Sequence, residues 1–286
     1  MNYAQDALWW RLTHPIIRDL ASLLTAPPLW RTGCELPVRQ LLGEHGFRLL
    51  LAWNDQWQSA PQRQPENLTR NRYALGKYAE DLLAYWFTHA PHAKLLAANL
   101  PIYSHNTDGN SADNSTLGEI DYIAELNGTL YHIELACKYH GSATGEHMAG
   151  LNPRDTLARK QGKLQRQLAL LATPEAQAAL RQHGIAPERI RSASIVRGIG
   201  FTAAGTLPPA FPPQAWSGIW TTTPQALPEH ARYYRLSRTE YLAPARITQP
   251  ETISRSQITP AALYAQVAPR PDGYWHEEQR IMVVAG

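Results

Sequence analysis

Two runs in which apolar and polar residues alternate, separated by Asn127-Gly128, form the clearest pattern in the chain. The first run covers residues 117–126 and the second covers residues 129–140. Asn-Gly between two such runs is the strongest short-range signal for a β-hairpin with a two-residue turn. The sequence therefore predicts two antiparallel strands that are joined at this dipeptide.

A two-residue turn also fixes the pairing register of the two strands. Leu126 then faces Thr129, and pairing outward from the turn places Asp121 opposite Glu134. Opposed side chains share one face of a sheet, and like charges in that position destabilise the sheet. A hard divalent cation that is held by carboxylate oxygens would offset the repulsion. The register therefore predicts a cation site at Asp121 and Glu134.

The same register divides the hairpin into two faces, one apolar and one carrying most of the charge. An alternative without metal is a solvated polar face on which Lys138 pairs diagonally with Glu119. The predicted apolar face holds Ile120, Tyr122, Ala124, Tyr131, Ile133, Leu135 and Cys137, and the predicted polar face holds Glu119, Asp121, Ile123, His132, Glu134, Ala136 and Lys138.

Periodicity elsewhere predicts helices before the hairpin and after it, in the order helix, strand, strand, strand, helix, strand. The first helix of this series would be capped by Asn67 or Thr69, and the second by Asn152 with Pro153 at its first position. The other predictions are helices at 6–11, 14–24 and 37–57 (broken near 43–46), strands at 100–105, 191–201, 218–222, 232–236 and 281–284, and a flexible loop at 106–116.

Composition argues against a uniformly basic protein, a disulfide-stabilised protein and a membrane-spanning protein. The chain has 286 residues with 27 Lys and Arg against 24 Asp and Glu, so any basic surface must be local. Cys34 and Cys137 lie far apart in the sequence, which favours reduced thiols over a disulfide. Charged residues interrupt the first 30 positions, and no apolar run approaches the ~20 residues of a membrane span. A cytoplasmic protein without a membrane partner is expected.

The predicted helix after the hairpin carries a local basic strip. Lys160, Lys163 and Gln167 follow i, i+3, i+7 spacing and share one face, and Arg154 lies near the start of the helix. Such a strip suits the phosphate backbone of nucleic acid, and Lys77 would extend it. A solvated basic face without a ligand remains the alternative.

The element order and the hairpin residues together resemble the PD-(D/E)XK phosphodiesterase superfamily, which includes restriction endonucleases and Holliday-junction resolvases. The resemblance implies an α/β fold with a restriction-endonuclease-like αβββαβ core. Its Asp strand would hold Gly118-Glu119-Ile120-Asp121, and its Glu/Lys strand would hold Glu134-Leu135-Ala136-Cys137-Lys138. The implied organisation is an N-terminal helical extension (1–66), this core (67–201) and a C-terminal β-rich elaboration of the same domain (202–286).

A closer resemblance, over almost the whole chain, is to an uncharacterised bacterial family, the domain of unknown function numbered 1853. That family is placed within the same superfamily, and it has no established activity to transfer. The stretches that carry the resemblance are 14–21 with Pro27-Pro28-Leu29, 75–80, 134–138, Asn152-Pro153-Arg154-Asp155 with Lys160, Gln167 and Leu168, Tyr241-Leu242-Ala243-Pro244, and 280–284.

The superfamily resemblance implies a Mg²⁺- or Mn²⁺-dependent nuclease that acts on DNA or RNA. Asp121, Glu134 and the backbone carbonyl of Leu135 would be the metal ligands, with Lys138 and Glu80 completing the catalytic set. The alternative is a non-catalytic nucleic-acid-binding or scaffold protein that retains the nuclease fold, and self-association is left open in both cases. The predicted nucleic-acid-binding residues are Lys160, Lys163, Gln167, Arg154 and Lys77.

Two departures from the superfamily pattern bear on this hypothesis. Ala136 occupies the usual lysine position, and Lys138 lies two residues further along, roughly 6.6 Å along a strand. If Lys138 does not reach the carboxylates, Lys160 or Lys163 is the first substitute to consider. Ile120 also replaces the proline of the name-giving Pro-Asp pair. No His-Glu-x-x-His or Cys-x-x-Cys spacing is present, so zinc is disfavoured.

Overall fold

The computed structural model describes residues 11–70, 74–104 and 115–285 and shows a mixed α/β fold. These residues form six α-helices and a nine-stranded mixed sheet. The helices are α1 (Pro15–Thr25), α2 (Val38–Leu42), α3 (Gly46–Ser59), α4 (Leu75–His89), α5 (Leu157–Leu170) and α6 (Pro174–Gln182). The strands are β1 (Ala93–Tyr103), β2 (Thr116–Leu126), β3 (Thr129–Gly141), β4 (Arg191–Thr202), β5 (Ser217–Thr221), β6 (Arg232–Arg235), β7 (Arg246–Ile247), β8 (Ala262–Pro269) and β9 (Trp275–Val283).

The predicted hairpin and its register are confirmed near the turn. β2 and β3 are antiparallel, with Leu126 opposite Thr129 and Tyr122 opposite Ile133. Asn127 and Gly128 both have positive φ, 48° and 75°, as a two-residue turn of the hairpin-compatible hand requires. The local sequence therefore fixed the alignment of the two strands over these pairs.

The sheet has the order β1-β2-β3-β4-β5-β9-β8-β6, with β7 paired to β9. β1, β2 and β3 are antiparallel neighbours, whereas β4 lies parallel to β3 after a crossover that contains α5 and α6. β5 continues the sheet parallel to β4, and β9 lies parallel to β5. The C-terminal strands therefore extend the same sheet that holds the hairpin.

The predicted starts of two helices are wrong. α4 begins at Leu75 instead of near residue 70, because Arg70 turns its guanidinium to the Asp19 carboxylate, 2.7 Å away. α5 begins at Leu157, since Asn152 forms a turn instead of a cap: its side chain accepts from the Arg154 N–H at 3.0 Å. The predictions at 6–11 and 106–116 fall mostly outside the described residues.

The C-terminal part contains more strand than the sequence predicts. β7 and β8 were not predicted, and β9 begins at Trp275 instead of at Ile281. β8 is mostly buried and lacks period-2 alternation, so its pattern does not distinguish a strand from other core segments. β9 is polar in its first half, because it contains the buried pair Glu277 and Arg280.

The two faces of the hairpin differ from the prediction. Most of the predicted polar face is covered, since α5 packs on β2 and β3 and Ala136 lies with Leu157 and Leu164 in one apolar cluster. Glu119 stays exposed. Ile120 packs in the same cluster as Ile123, three positions away, so side-chain alternation breaks just before Asp121. The site residues therefore lie at an irregularity between two covered faces.

None of the helices in the part of the chain that the structure describes is both long enough and apolar enough to cross a bilayer.

Candidate functional site

The carboxylates of Asp121 and Glu134 lie where β2 and β3 separate. Backbone pairing between the two strands ends at Tyr122 and Ile133. Beyond this point β2 stays paired with β1, and β3 stays paired with β4 as far as Gly141. The two strands therefore form a fork, and one carboxylate stands on each side of it.

Side chains replace the missing backbone pairs at the fork. The Leu135 N–H donates to Asp121 Oδ2 at 2.8 Å, and the Asp121 N–H points at Glu134 Oε1, 3.4 Å away. Within a strand, the N–H and C=O of one residue point to the same side. Because the Leu135 N–H faces Asp121, its carbonyl oxygen also faces the fork. The fork thus gathers oxygen atoms from two carboxylates and one backbone carbonyl.

The carboxylate pair is buried and incompletely hydrogen-bonded. Asp121 is 8% exposed and Glu134 is fully buried. His132 Nε2 lies 2.7 Å from Glu134 Oε1, within hydrogen-bond distance, and burial lowers the pKa of His132 to about 4. Glu134 Oε2 is buried and finds no hydrogen-bond partner among the described residues. One carboxylate oxygen is therefore available for a ligand.

Positive charge is scarce at the fork. Burial, followed by the neighbouring Glu134 carboxylate, raises the pKa of Asp121 to about 7. Burial likewise raises the pKa of Glu134 to about 8, while the charge of Lys163 opposes the shift. Both changes have the sign that is expected for two acids that share a poorly solvated site without a cation.

A cleft of about 450 Å³ lies beside the fork and brings together residues from distant parts of the chain. Leu135 and Lys138 come from β3, Glu80 from α4, Lys163 from α5, and Arg238 from the segment after β6. These residues lie far apart in the sequence, so the cleft exists only in the folded chain.

Glu80 enters the cleft from α4. The Tyr122 hydroxyl donates to the Glu80 backbone carbonyl at 2.7 Å and so ties α4 to β2. Burial, followed by the charge of Asp121, raises the pKa of the Glu80 carboxyl. Lys77 Nζ lies 3.6 Å from Glu80 Oε2. Glu80 therefore forms an ion pair within α4 and also lines the cleft.

Lys138 lines the cleft, but the main charges that shift its pKa are those of Lys160 and Asp155 and not those of the fork carboxylates. Burial, followed by the charge of Lys160, lowers the pKa of Lys138, and Asp155 opposes this shift. Lys138 lies four positions beyond Glu134, roughly 13 Å along β3. Within the described ranges no ion pair joins Lys138 to Glu119. Lys163, in contrast, is the cation that acts on Glu134.

Residues 18–284 match the family described as a domain of unknown function, DUF1853. The chain belongs to this family. No curated protein and no solved structure matches the chain.

The predicted nucleic-acid-binding residues of this DUF1853 chain do not all lie together. Arg154, Lys160 and Lys163 line one depression of about 620 Å³ that adjoins the cleft. Gln167 is part of neither the cleft nor the depression. Lys77 lies on α4, where Asp81 Oδ1 is 3.0 Å from its Nζ. Arg159 and Arg166 also line the depression and add to its positive charge.

Some residues of the DUF1853 site were not predicted. His140, Asp155 and Arg238 all line the cleft. Strand parity could have indicated His140, which lies two residues beyond Lys138 on β3. Asp155 and Arg238 gave no comparable signal, because their positions depend on a loop and on the C-terminal segment.

In the described part of the DUF1853 chain, no group of three or more His, Cys, Asp and Glu side chains is placed to hold a metal ion. Two carboxylates and the Leu135 carbonyl are the protein oxygens that the fork offers. This is a donor set for a hard cation that completes its coordination with water or substrate oxygens.

Proposed function

We propose that this DUF1853 protein is a Mg²⁺- or Mn²⁺-dependent phosphodiesterase that acts on nucleic acid. The observation that carries the proposal is the buried pair Asp121 and Glu134, which meets at a strand fork and forms no ion pair with a lysine or arginine of the described residues. Buried acids with raised pKa values beside a cleft are candidates for a functional site.

The fork fits a magnesium ion. Mg²⁺ takes one or two carboxylates and keeps several waters or phosphate oxygens. Asp121, Glu134 and the Leu135 carbonyl would hold the ion, and the buried Glu134 Oε2 would gain the partner that it lacks among the described residues. A bound divalent ion polarises a phosphoryl oxygen and lowers the pKa of a bound water.

The chain's own residues have separate roles in this proposal. His132 and the Leu135 N–H hold the two carboxylates in place. Lys163 offsets negative charge next to Glu134, which is where charge develops during attack on a phosphodiester. Lys138 binds substrate phosphate further along the cleft. Glu80 adds a carboxylate from α4 that can orient a water molecule.

The order of elements supports the assignment to the PD-(D/E)XK superfamily. α4 precedes three antiparallel strands, and the crossover with α5 leads to β4 parallel to β3. This is the αβββαβ order that the superfamily resemblance implies, with α6 added to the crossover. The carboxylates also lie on the second and third strands of that order.

Nucleic acid is the proposed substrate because a basic surface adjoins the cleft. Arg154, Arg159, Lys163 and Arg166 are exposed and line one depression on α5 and the loop before it. Lys163 lines both this depression and the cleft. A phosphate backbone bound along α5 would therefore pass the carboxylate pair.

A cleavage screen tests the proposal. Linear, branched and single-stranded DNA and RNA are incubated with Mg²⁺ or Mn²⁺ and with wild type, Asp121→Asn, Glu134→Gln and the control Glu125→Gln. Glu125 is exposed on β2, the strand that also holds Asp121. We expect Asp121→Asn and Glu134→Gln to lose activity by at least about 10²-fold, and Glu125→Gln to remain active. Full activity in both fork variants would rule out the assignment.

A second candidate function is a nucleic-acid-binding protein that does not cleave. The observation that favours it is the displaced lysine: Ala136 stands at the usual position, and Lys160 and Asp155 are the main charges acting on Lys138. Calorimetric titration with Mg²⁺ and Mn²⁺ separates the candidates. Metal binding that Glu134→Gln abolishes supports the nuclease, and its absence with DNA present supports the non-catalytic protein.

A further inference from the structure

His140 is a buried histidine that lies beside Asp155 at the end of the cleft remote from the fork. Its side chain is 1% exposed, and neither ring nitrogen finds a hydrogen bond among the described residues. Its Nε2 lies 3.7 Å from Asp155 Oδ2, which is beyond hydrogen-bond distance. Buried polar groups are normally hydrogen-bonded, so a buried imidazole that lines a cleft and forms no hydrogen bond to a described residue is placed to bind a ligand there.

Three elements build the surroundings of His140. β3 provides Lys138 and His140, α5 provides Lys160, and the connecting loop provides Asp155. The loop is fixed by backbone bonds, because the Gly141 N–H donates to the Ala149 carbonyl at 2.8 Å and the Gly150 N–H to the Asp155 carbonyl at 2.9 Å. Asp155 is thereby held above His140. The arrangement is a structured pocket and not a chance meeting of surface side chains.

The charges around His140 decide the sign of the ligand. Lys160 Nζ lies 2.9 Å from Asp155 Oδ1 and neutralises that carboxylate. Lys138 is half-buried, and the positive charges of Lys160 and Lys163 both lower its pKa. Burial lowers the pKa of His140 to about 4, so the imidazole is neutral and can donate one N–H. Because an excess of positive charge surrounds a neutral donor, an anion is favoured and a second metal ion is disfavoured.

We propose that Lys138, His140 and Lys160 form a phosphate-binding subsite whose ligand is a phosphoryl group. The imidazole and the two ammonium groups would donate charge-assisted hydrogen bonds to its oxygens. His140 lies six positions beyond Glu134, roughly 20 Å along β3. The subsite therefore holds a different phosphate from the one at the carboxylate pair. Either a terminal phosphate of a nucleic-acid strand or a small phosphate compound can supply it.

Calorimetric titration with inorganic phosphate at constant ionic strength, in EDTA, tests the subsite. We expect His140→Asn and Lys138→Met each to weaken phosphate binding by about tenfold or more, the loss of one charge-assisted hydrogen bond. His147→Asn is the matched control, since His147 is exposed on the same loop and its φ of 50° suits asparagine. Unchanged phosphate affinity in folded Lys138→Met and His140→Asn would overturn the subsite, and Lys138→Met decides if His140→Asn does not fold.

Oligonucleotides identify the source of the phosphate. Short single strands with a 5′-phosphate, a 3′-phosphate or only hydroxyl ends are compared in the same buffer. Tighter binding of one phosphorylated strand, lost in His140→Asn, assigns the ligand to a strand end. Equal binding of all strands, with inorganic phosphate still bound, assigns it to a small phosphate compound. A preference that persists in His140→Asn contradicts the role of His140.

The fork variants separate this inference from the proposed nuclease. Asp121→Asn and Glu134→Gln are expected to keep phosphate binding at the His140 subsite, because EDTA removes the metal and the subsite lies at the other end of the cleft. Loss of cleavage therefore does not count against the subsite. Phosphate binding that disappears in Glu134→Gln and persists in Lys138→Met would place the anion at the fork and overturn the inference.

Discussion

Two buried centres of this chain contain acidic residues, and they differ in how the negative charge is compensated. On β9, Glu277 and Arg280 are both fully buried. The Arg280 Nε donates to Glu277 Oε1 at 2.7 Å, and its Nη2 donates to Glu277 Oε2 at 2.6 Å. The Ala245 N–H donates to Glu277, and Arg280 also donates to the carbonyls of Tyr241 and Ala243. At the β2–β3 fork, Asp121 and Glu134 are also buried, but no arginine of the described residues forms an ion pair with either of them.

The difference shows what each centre contributes. The β9 pair is closed by the chain itself and ties β9 to the segment that contains Tyr241, Ala243 and Ala245. The fork leaves a carboxylate oxygen without a partner among the described residues and raises the pKa values of both acids. A buried charge that the protein neutralises supports the fold, whereas one that it leaves uncompensated indicates a site for an external charge.

The largest expected effect comes from neutralising one acid in each centre. Glu277→Gln should lower the free energy of unfolding by about 3–5 kcal/mol, because it leaves the buried Arg280 without its counter-charge. Glu134→Gln mimics the protonated acid and removes a carboxyl group whose pKa folding raises, so at pH 7 it should leave the free energy of unfolding unchanged or raise it. Urea unfolding at pH 7 in EDTA measures both. Equal losses would mean that the fork is as fully compensated as β9.

Divalent metal should sharpen the contrast. Mg²⁺ or Mn²⁺ at a hundred times its dissociation constant should raise the free energy of unfolding of wild type by about 2.7 kcal/mol. Asp121→Asn and Glu134→Gln should lose this gain, because each removes a charged ligand oxygen. Thermal unfolding with and without metal provides the measurement. A gain that survives in both variants would place the metal elsewhere.

The pH dependence of stability should differ between the metal-free wild type and Glu134→Gln. Folding raises the pKa values of Asp121 and Glu134 from 3.8 and 4.5 to about 7 and about 8, so the folded state binds more protons than the unfolded state within this window. Stability should therefore fall as the pH rises from about 4 to about 8, by at most ~1.4 kcal/mol per pH unit for each extra proton.

His132 and His140 act in the opposite direction, since burial lowers their pKa values from 6.5 to about 4. Their contribution makes stability rise between about pH 4 and 6.5. The difference between wild type and Glu134→Gln isolates the acids, and urea unfolding at several pH values measures it. A wild-type curve parallel to that of Glu134→Gln would refute the raised pKa of Glu134.

The smallest expected effect extends the comparison to surface cations. Lys77 Nζ lies 3.0 Å from Asp81 Oδ1 and 3.6 Å from Glu80 Oε2, whereas Lys163 has no ion pair within the described ranges. Lys163→Met should weaken nucleic-acid binding and reduce the slope of log K against log salt by about 1. Lys77→Met should leave that slope nearly unchanged. Fluorescence anisotropy at several salt concentrations measures the slopes, and equal slopes would contradict the distinction.

Local sequence was sufficient where one turn or one period dominates. Asn127-Gly128 predicted the turn and the pairing from Leu126–Thr129 to Tyr122–Ile133. Strand β4 lies at Arg191–Thr202, where the sequence predicts a strand at 191–201, and the helix at 14–24 was found within one residue at each end. The start of α5 was missed because Asn152 can cap a helix or form a turn, and the choice depends on how Asp155 packs.

The candidate site was only partly predictable. The acids Asp121 and Glu134 followed from the register, but their burial did not, because α5 covers them and is distant in the sequence. The break in alternation before Asp121 was also invisible, since period-2 reasoning assumes a regular strand. His140 and Asp155 meet only through the loop that joins β3 to α5.

The sequence by itself determined that a tight turn brings two acidic residues close together, because a two-residue turn leaves the adjoining strands one register. The tertiary structure alone decided that β2 and β3 separate at those acids, that helices exclude water from them, and that Lys163 instead of Lys138 acts on Glu134. The physical reason is range: backbone geometry propagates through neighbouring residues, whereas burial and charge depend on every element that packs nearby.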